Sequence, residues 1–215
     1  GLASVGRKAL ERDLEFTKGE HPIVAQLFGS NPEKMEKSAR IVTELGFDGI
    51  DINMGCPDKT IEKQNSGAAM IKNPSNAKEI IDAVKKGSHL PISVKTRIGY
   101  NKNQIEEWIP ILLSSGISAL TVHLRTRKEM SNVPAHWELM PRIVEMAKGT
   151  GVLIIGNGDV TDLEDARKKI KETGCDGVML GRAIFGRPWL FSNSHELDNR
   201  EDPKVLKKIL KIMVE

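Results

Sequence analysis

The residues most capable of chemistry lie at the ends of short apolar runs. Cys56 occupies the tight turn Asn53-Met54-Gly55-Cys56-Pro57, where a thiol could donate a proton to a substrate. The second cysteine, Cys175, lies between a helical stretch and an apolar run and reads as an inert small hydrophobe. In Ile92-Ser93-Val94-Lys95-Thr96-Arg97, strand alternation puts Ser93, Lys95 and Arg97 on the face opposite Ile92, Val94 and Thr96. A lysine and an arginine two apart on a buried strand require anionic or strongly polar partners, and a cofactor with electron-rich oxygens would supply them. His123 ends Leu120-Thr121-Val122-His123. Alone it would read as a core histidine satisfied by a carbonyl; beside Lys95 and the glycine turns it reads as a cofactor contact. Gly156-Asn157-Gly158-Asp159 and Leu180-Gly181-Arg182 end the last two runs. Successive glycines there let backbone N–H groups approach an anion closely, which points to a phosphate site, with a pair of plain glycine turns as the alternative.

These residues must be held by the runs they follow: 22–28, 49–54, 91–97, 119–124, 152–155 and 177–180. Their recurrence every ~25 to 40 residues matches one strand-loop-helix-loop unit. The stretches between them carry helix signals. Asn31-Pro32 is a cap followed by proline at the first helical position, and Met35, Ala39, Val42 and Leu45 then share a face before Gly46. A second helix begins near Ser75 with Ala77, Ile80, Ile81 and Val84 on one side, a third spans Trp137 to Ala147, and a fourth runs from Asp162 to Gly174. Strict alternation predicts an α/β fold with an all-parallel sheet, either doubly wound or closed into a barrel, and chemistry at the carboxyl ends of its strands.

The 215 residues carry 32 Lys+Arg against 29 Asp+Glu and are 39% hydrophobic, which excludes a disordered chain and favours one compact domain. A net charge of +3 decides nothing about nucleic acid, because phosphate binding depends on a clustered basic face. Two distant cysteines make no disulfide framework, no apolar run reaches the ~20 residues of a membrane helix, and a reducing, cytoplasmic setting is expected. The chain starts at Gly1 without an initiator Met or a targeting pattern, so a larger protein is expected around it.

Taken together, the motifs resemble the tRNA-dihydrouridine synthase family. Those that carry the resemblance are Asp51-Ile52-Asn53-Met54-Gly55-Cys56-Pro57, Gly67-Ala68-Ala69-Met70, Val94-Lys95-Thr96-Arg97-Ile98-Gly99, His123-Leu124-Arg125-Thr126-Arg127, Gly156-Asn157-Gly158-Asp159 and Gly177-Val178-Met179-Leu180-Gly181-Arg182-Ala183. In order and spanning nearly the whole chain, they are far more specific together than any one alone. The resemblance implies an FMN-dependent (β/α)8 TIM barrel that reduces the C5=C6 bond of a uridine in tRNA, with NADPH as reductant and no metal. Carried over, Cys56 would protonate C5 after hydride reaches C6. Asn53 and Arg97 would hold the uracil. Gln26 and Lys95 would contact the flavin ring system, Lys95 near its pyrimidine end. His123 with Asn157, Gly158, Asp159, Gly181 and Arg182 would form the phosphate end of the flavin site.

Two positions depart from the family pattern: Ser131 stands where many members carry Tyr, and His136 precedes Trp137 where Asp is usual. The resemblance also implies that roughly strands 3 to 8 of the barrel are present and its first two units are not. Residues 1–191 would be a partial barrel, 192–203 a linker and 204–215 the start of a C-terminal helical region. Two rival readings remain open at this point: a flavin barrel acting on a free pyrimidine, and a non-catalytic fragment lacking stable flavin binding.

Overall fold

The structure is a computed structural model that describes residues 14–191 except 188. The expected linker at 192–203 and the helical start at 204–215 lie outside the described residues. Six strands form one sheet: β1 (Val24–Leu27), β2 (Gly49–Met54), β3 (Ile92–Arg97), β4 (Ala119–His123), β5 (Leu153–Asn157) and β6 (Gly177–Met179). All neighbours pair in parallel and the spatial order follows the chain from β1 to β6. A doubly wound sheet would reverse direction at a switch point, so sequential order selects the barrel-wall alternative of the two the sequence left open.

The helices form for the reasons their sequences predict. In α1 (Pro32–Glu44), Asn31 Oδ1 accepts the Lys34 N–H at 2.9 Å and Met35, Ala39 and Val42 are buried. A short α2 (Lys59–Glu62) is capped by Asp58. In α3 (Pro74–Gly87), Asn73 caps and Ala77, Ile80, Ile81 and Val84 face inward. The stretch expected as one helix from Trp137 divides into a 3₁₀ turn at Trp137–Leu139 and α5 (Met140–Ala147), whose first turn holds Pro141. α6 (Leu163–Thr173) is capped by Asp162. One further helix, α4 (Ile105–Leu113), was not singled out by its pattern; it is short and interrupted by Pro110, yet it buries Trp108, Ile109 and Leu112.

Register divides the sheet into two faces. Ile50, Ile52, Val94, Leu120, Val122 and Ile154 are at most 1% exposed and pack beneath the helices. Each such side chain contributes about 1.5–3 kcal/mol on burial, so stability comes mainly from this layer. The opposite face is polar. Gln26, Asp51 and Ser93 align across β1 to β3; Asn53 aligns with Lys95 and Thr121; Arg97 aligns with His123 and Asn157. The core thereby frees this second face for function. Among the described residues no helix is long and apolar enough to cross a membrane.

Candidate functional site

The Cys56 turn is braced from several sides. Asn53 Oδ1 accepts the N–H groups of Gly55 at 3.1 Å and Cys56 at 2.9 Å. Arg97 Nε donates to Gly55 O at 2.8 Å, and the Ala68 N–H donates to Cys56 O at 2.9 Å. From beneath, Trp108 Nε1 donates to Thr96 Oγ1, which donates in turn to Met54 O. Gly67 packs directly on the turn with φ +62°; a Cβ there would lie 2.6 Å from Cys56 O. The Gly67-Ala68-Ala69-Met70 motif therefore acts as a buried buttress for Cys56. Cys56 itself is a free thiol with intermediate exposure, whereas Cys175 is free and buried, with its Sγ donating to Gly177 O.

Arg97 was expected to hold a substrate, and the structure gives its buried guanidinium internal partners. Besides Gly55 O it donates through Nη1 to Thr126 O at 3.1 Å and Met130 O at 3.0 Å, joining the loop after β2 to the loop after β4. Burial first, and then Arg125, lower its pKa from the ordinary guanidinium value. Asn53 has its oxygen committed to the turn, while its Nδ2 donates to Gln26 Oε1 at 2.9 Å. Gln26 Nε2 donates to Asp51 Oδ2 at 2.7 Å.

A cavity of about 680 Å³ opens at the carboxyl ends of β3 to β6. Of the expected cofactor contacts, Lys95, His123, Asn157, Gly158, Asp159, Gly181 and Arg182 line it, and Gln26 does not. Lys95, Arg125, Arg182 and Arg187 face it against the carboxylates of Asp159 and Asp162, a balance that favours an anion. His123 is driven down to about 3 by burial and then by the nearby Arg97, Lys95 and Arg125 charges, so its imidazole is neutral at physiological pH. Arg125 Nη1 lies 3.1 Å from His123 Nε2 and can only donate, which leaves the ring proton on Nδ1. Burial likewise lowers the Lys95 ammonium, with Arg97 adding to the effect while Asp51 and Cys56 oppose it. Lys95 thus lines the cavity and stands in register with Asn53, which braces the Cys56 turn.

Asp159 is a partner of cations here. Its Oδ2 accepts from Arg125 Nη2 at 2.5 Å and from the Ala135 N–H at 2.8 Å, and its Oδ1 lies 3.4 Å from Arg182. Burial raises this carboxyl, but the bonds from Arg125 and Ala135 outweigh it and hold the pKa below the ordinary value. Asp159 thereby positions guanidiniums that line the cavity. Arg125, 3% exposed, is the residue this site adds to the sequence reading. Its signal was its place two residues past a strand-end histidine.

The loop after β4 is tied by Glu129, whose carboxylate accepts from the Thr126 N–H and Oγ1 and pairs with His136 Nε2 at 3.0 Å. Arg127 reaches across to Glu62, with both Nε contacts at 2.9 Å. Among the described residues, no group of three or more His, Cys, Asp or Glu side chains is placed to hold a metal ion.

Comparison with known proteins gives a consistent picture. The sequence profile of the family described as dihydrouridine synthase matches residues 4–214. A Bacillus subtilis (strain 168) protein named probable tRNA-dihydrouridine synthase 2 is 42% identical over 189 residues, which cover 86% of this chain and 58% of that protein. A Staphylococcus aureus (strain Mu50 / ATCC 700699) protein named probable tRNA-dihydrouridine synthase is 43% identical over 183 residues, covering 83% of this chain and 55% of that protein. The chain therefore spans little more than half the length of these relatives. Among solved structures, DHODH from Eimeria tenella in complex with ferulenol superposes with a TM-score of 0.52 at 16% identity, covering 73% of this chain and 50% of that one. At that identity the likeness concerns the fold.

Proposed function

The chain belongs to the dihydrouridine synthase family, and from that premise we propose that it carries the flavin core of an enzyme reducing the C5=C6 bond of a uridine in tRNA. The observation that carries this reading is the position of Lys95, which lines a cation-rich cavity and stands in register with Asn53, the residue that braces the Cys56 turn.

The residues present fit FMN. Gly158, with φ +126°, lies so close to His123 and Ala135 that a Cβ would meet the Ala135 methyl at 2.8 Å; at Gly181 a Cβ would meet nothing within 4 Å. Gly181 thus leaves open space where backbone N–H groups can meet a phosphate, while glycine at Gly158 is required by its positive φ and its packing on Ala135 and His123. Arg182 and the neutral His123, with its Nδ1 proton, supply further donors, and Asn157 and Asp159 hold the wall and the cations. Lys95, which lines the cavity, would contact the flavin ring system, and Gln26, whose amide bonds Asp51 and Asn53, would approach it only from outside the cavity lining. FMN, when bound and reduced at the expense of NADPH, supplies the hydride that reaches C6 of the uracil.

The protein's own part is to hold the uracil and deliver a proton. Cys56 Sγ gives its proton to C5, and the thiolate left behind is stabilised by the partly buried Lys95 and the buried Arg97. Arg97 keeps the loops after β2 and β4 in register, and the second Nδ2 hydrogen of Asn53 is free for the base. Two unpaired cysteines go with the reducing, cytoplasmic setting of such work.

Cys56→Ala tests the proposal. Flavin absorbance of the purified protein is expected to persist while dihydrouridine formation in unmodified tRNA falls by about 100-fold or more. A variant as active as the wild type would remove Cys56 from the chemistry. Reduction of free pyrimidines with no action on tRNA would replace the substrate, and a wild-type protein that binds no flavin would support the non-catalytic alternative.

A further inference from the structure

Asp51 has no part in the roles above. It lies on β2 at 8% exposure, in register with Gln26 of β1 and Ser93 of β3. Its Oδ1 accepts from Ser93 Oγ at 2.6 Å and its Oδ2 from Gln26 Nε2 at 2.7 Å. The chain of bonds continues from Gln26 Oε1 to Asn53 Nδ2, and from Asn53 Oδ1 to the N–H groups of Gly55 and Cys56.

Every link has a direction. A carboxylate accepts and cannot donate, so Gln26 must turn its NH₂ toward Asp51 and its oxygen toward Asn53. Asn53 must then offer its own NH₂ to Gln26, which leaves its oxygen for the turn. With Asn53 turned over, an NH₂ group would confront two N–H donors and both would lose their acceptor. The amide groups of Gln26 and Asn53 are nearly symmetric in shape, and their orientations are fixed from both ends of the chain, by the Asp51 carboxylate at one and by the N–H groups of Gly55 and Cys56 at the other.

We propose that Asp51 is a positioning residue whose charged acceptor locks Gln26 and Asn53 from the end opposite the turn and, through them, tightens the turn that carries Cys56. The kinetic consequence rests on the reading of Cys56 as proton donor; the orientation itself does not. A purely structural carboxylate, serving only to join β1, β2 and β3, would behave differently on substitution. Asp51→Asn keeps size and can still bond both neighbours, so the cross-link survives while the charge that strengthens its link to Gln26 is lost.

The experiment reads Cys56 directly, as its rate of alkylation by iodoacetamide measured by peptide mass, with buried Cys175 reporting any unfolding. It is paired with kcat and KM for tRNA reduction. In Asp51→Asn, Cys56 alkylation is expected to rise about threefold or more as the turn loosens, with kcat falling by a similar factor and KM little changed. Asp51→Asn combined with Gln26→Glu moves the carboxylate one link along. The amide then at 51 donates to the acid at 26, which also accepts from Asn53, so Asn53 keeps its oxygen on the turn. This double variant is expected to return Cys56 alkylation to within about twofold of wild type. An unchanged Cys56 rate in Asp51→Asn, or a rise that the double variant does not reverse, overturns the proposal. If Asp51→Asn exposes Cys175, Gln26→Leu takes its place, since it breaks the chain at its exposed middle link. It must raise Cys56 alkylation in the same way, and an unchanged rate refutes the proposal. A wild-type protein that fails to reduce tRNA sinks the functional reading, while the alkylation rates still decide the role of Asp51.

Discussion

The two halves of the site are built on opposite plans. Around Cys56 the protein satisfies its own polar groups: Arg97 serves three loop carbonyls, Asn53 serves two N–H groups, and Gly67 presses against the turn. The end of β6 is more open to solvent. β6 has three residues, none fully buried, and the Arg182 side chain is 69% exposed with one long contact to Asp159. On the proposed function the difference follows from what each half must do. A proton donor works only if its atom is placed within a few tenths of an ångström before substrate arrives. A phosphate brings two negative charges with it and can order exposed cations as it binds. Lys95, which lines the cavity and stands in register with Asn53, lies between the two halves.

The largest effect that would break this contrast is Gly67→Ala. The new methyl would meet Cys56 O at 2.6 Å from a backbone held at φ +62°, and that oxygen is already fixed by the Ala68 N–H. A loss of about 2 kcal/mol or more in stability is expected by urea unfolding, together with loss of dihydrouridine formation. An unchanged midpoint would mean that the Cys56 turn is not prebuilt. Arg182→Ala probes the other half and should do the reverse. Stability should stay within about 0.5 kcal/mol, while FMN or phosphate affinity measured by titration falls about tenfold. A large loss of stability with unaltered affinity would erase the distinction between the halves.

Legibility in the sequence divides along the same line. The six strands followed from recurring apolar runs, the faces of α1 and α3 from a period of 3.6 and α6 from its Asp162 cap and closing Gly174, and the glycines at the ends of β5 and β6 stood out locally. The prebuilt half could not be read as well. Alternation placed Arg97 on the polar face, but its partners are carbonyls of two other loops, and nothing local to 92–97 says that they close over it. Asp51 sat inside an apolar run, and its role depends on residues 25 positions before it and 42 after it. Long-range hydrogen bonding, unlike hydrophobic period, is not written in any one segment. α4 escaped for a local reason, since Pro110 interrupts its pattern while burial of Trp108 sustains it.

The smallest effect concerns the loop after β4, which joins the prebuilt half through Arg97 and is also held by the His136–Glu129 pair. The bond to Glu129 raises the His136 pKa above 6.5, against a smaller effect of burial. For Glu129 burial is the largest influence and raises the carboxyl, but its bonds to Thr126 and His136 together hold it below 4.5. The signs define a window. The His136 contribution is fully present below its unfolded value and is lost as pH rises through the higher folded value; the Glu129 contribution is present above its unfolded value and is lost as pH falls through the lower folded one. The clamp is therefore strongest in mildly acidic solution. After correction for intrinsic exchange, the Thr126 amide, which donates to Glu129, should be better protected near pH ~6 than near pH ~9, and His136→Asn should flatten that difference. The change should be small, because the His136 side chain is 34% exposed and the backbone contacts from Arg97 remain. Equal protection at both pH values in the wild type would assign the order of this loop to Arg97 alone, and the prebuilt half would then owe nothing to a titrating group.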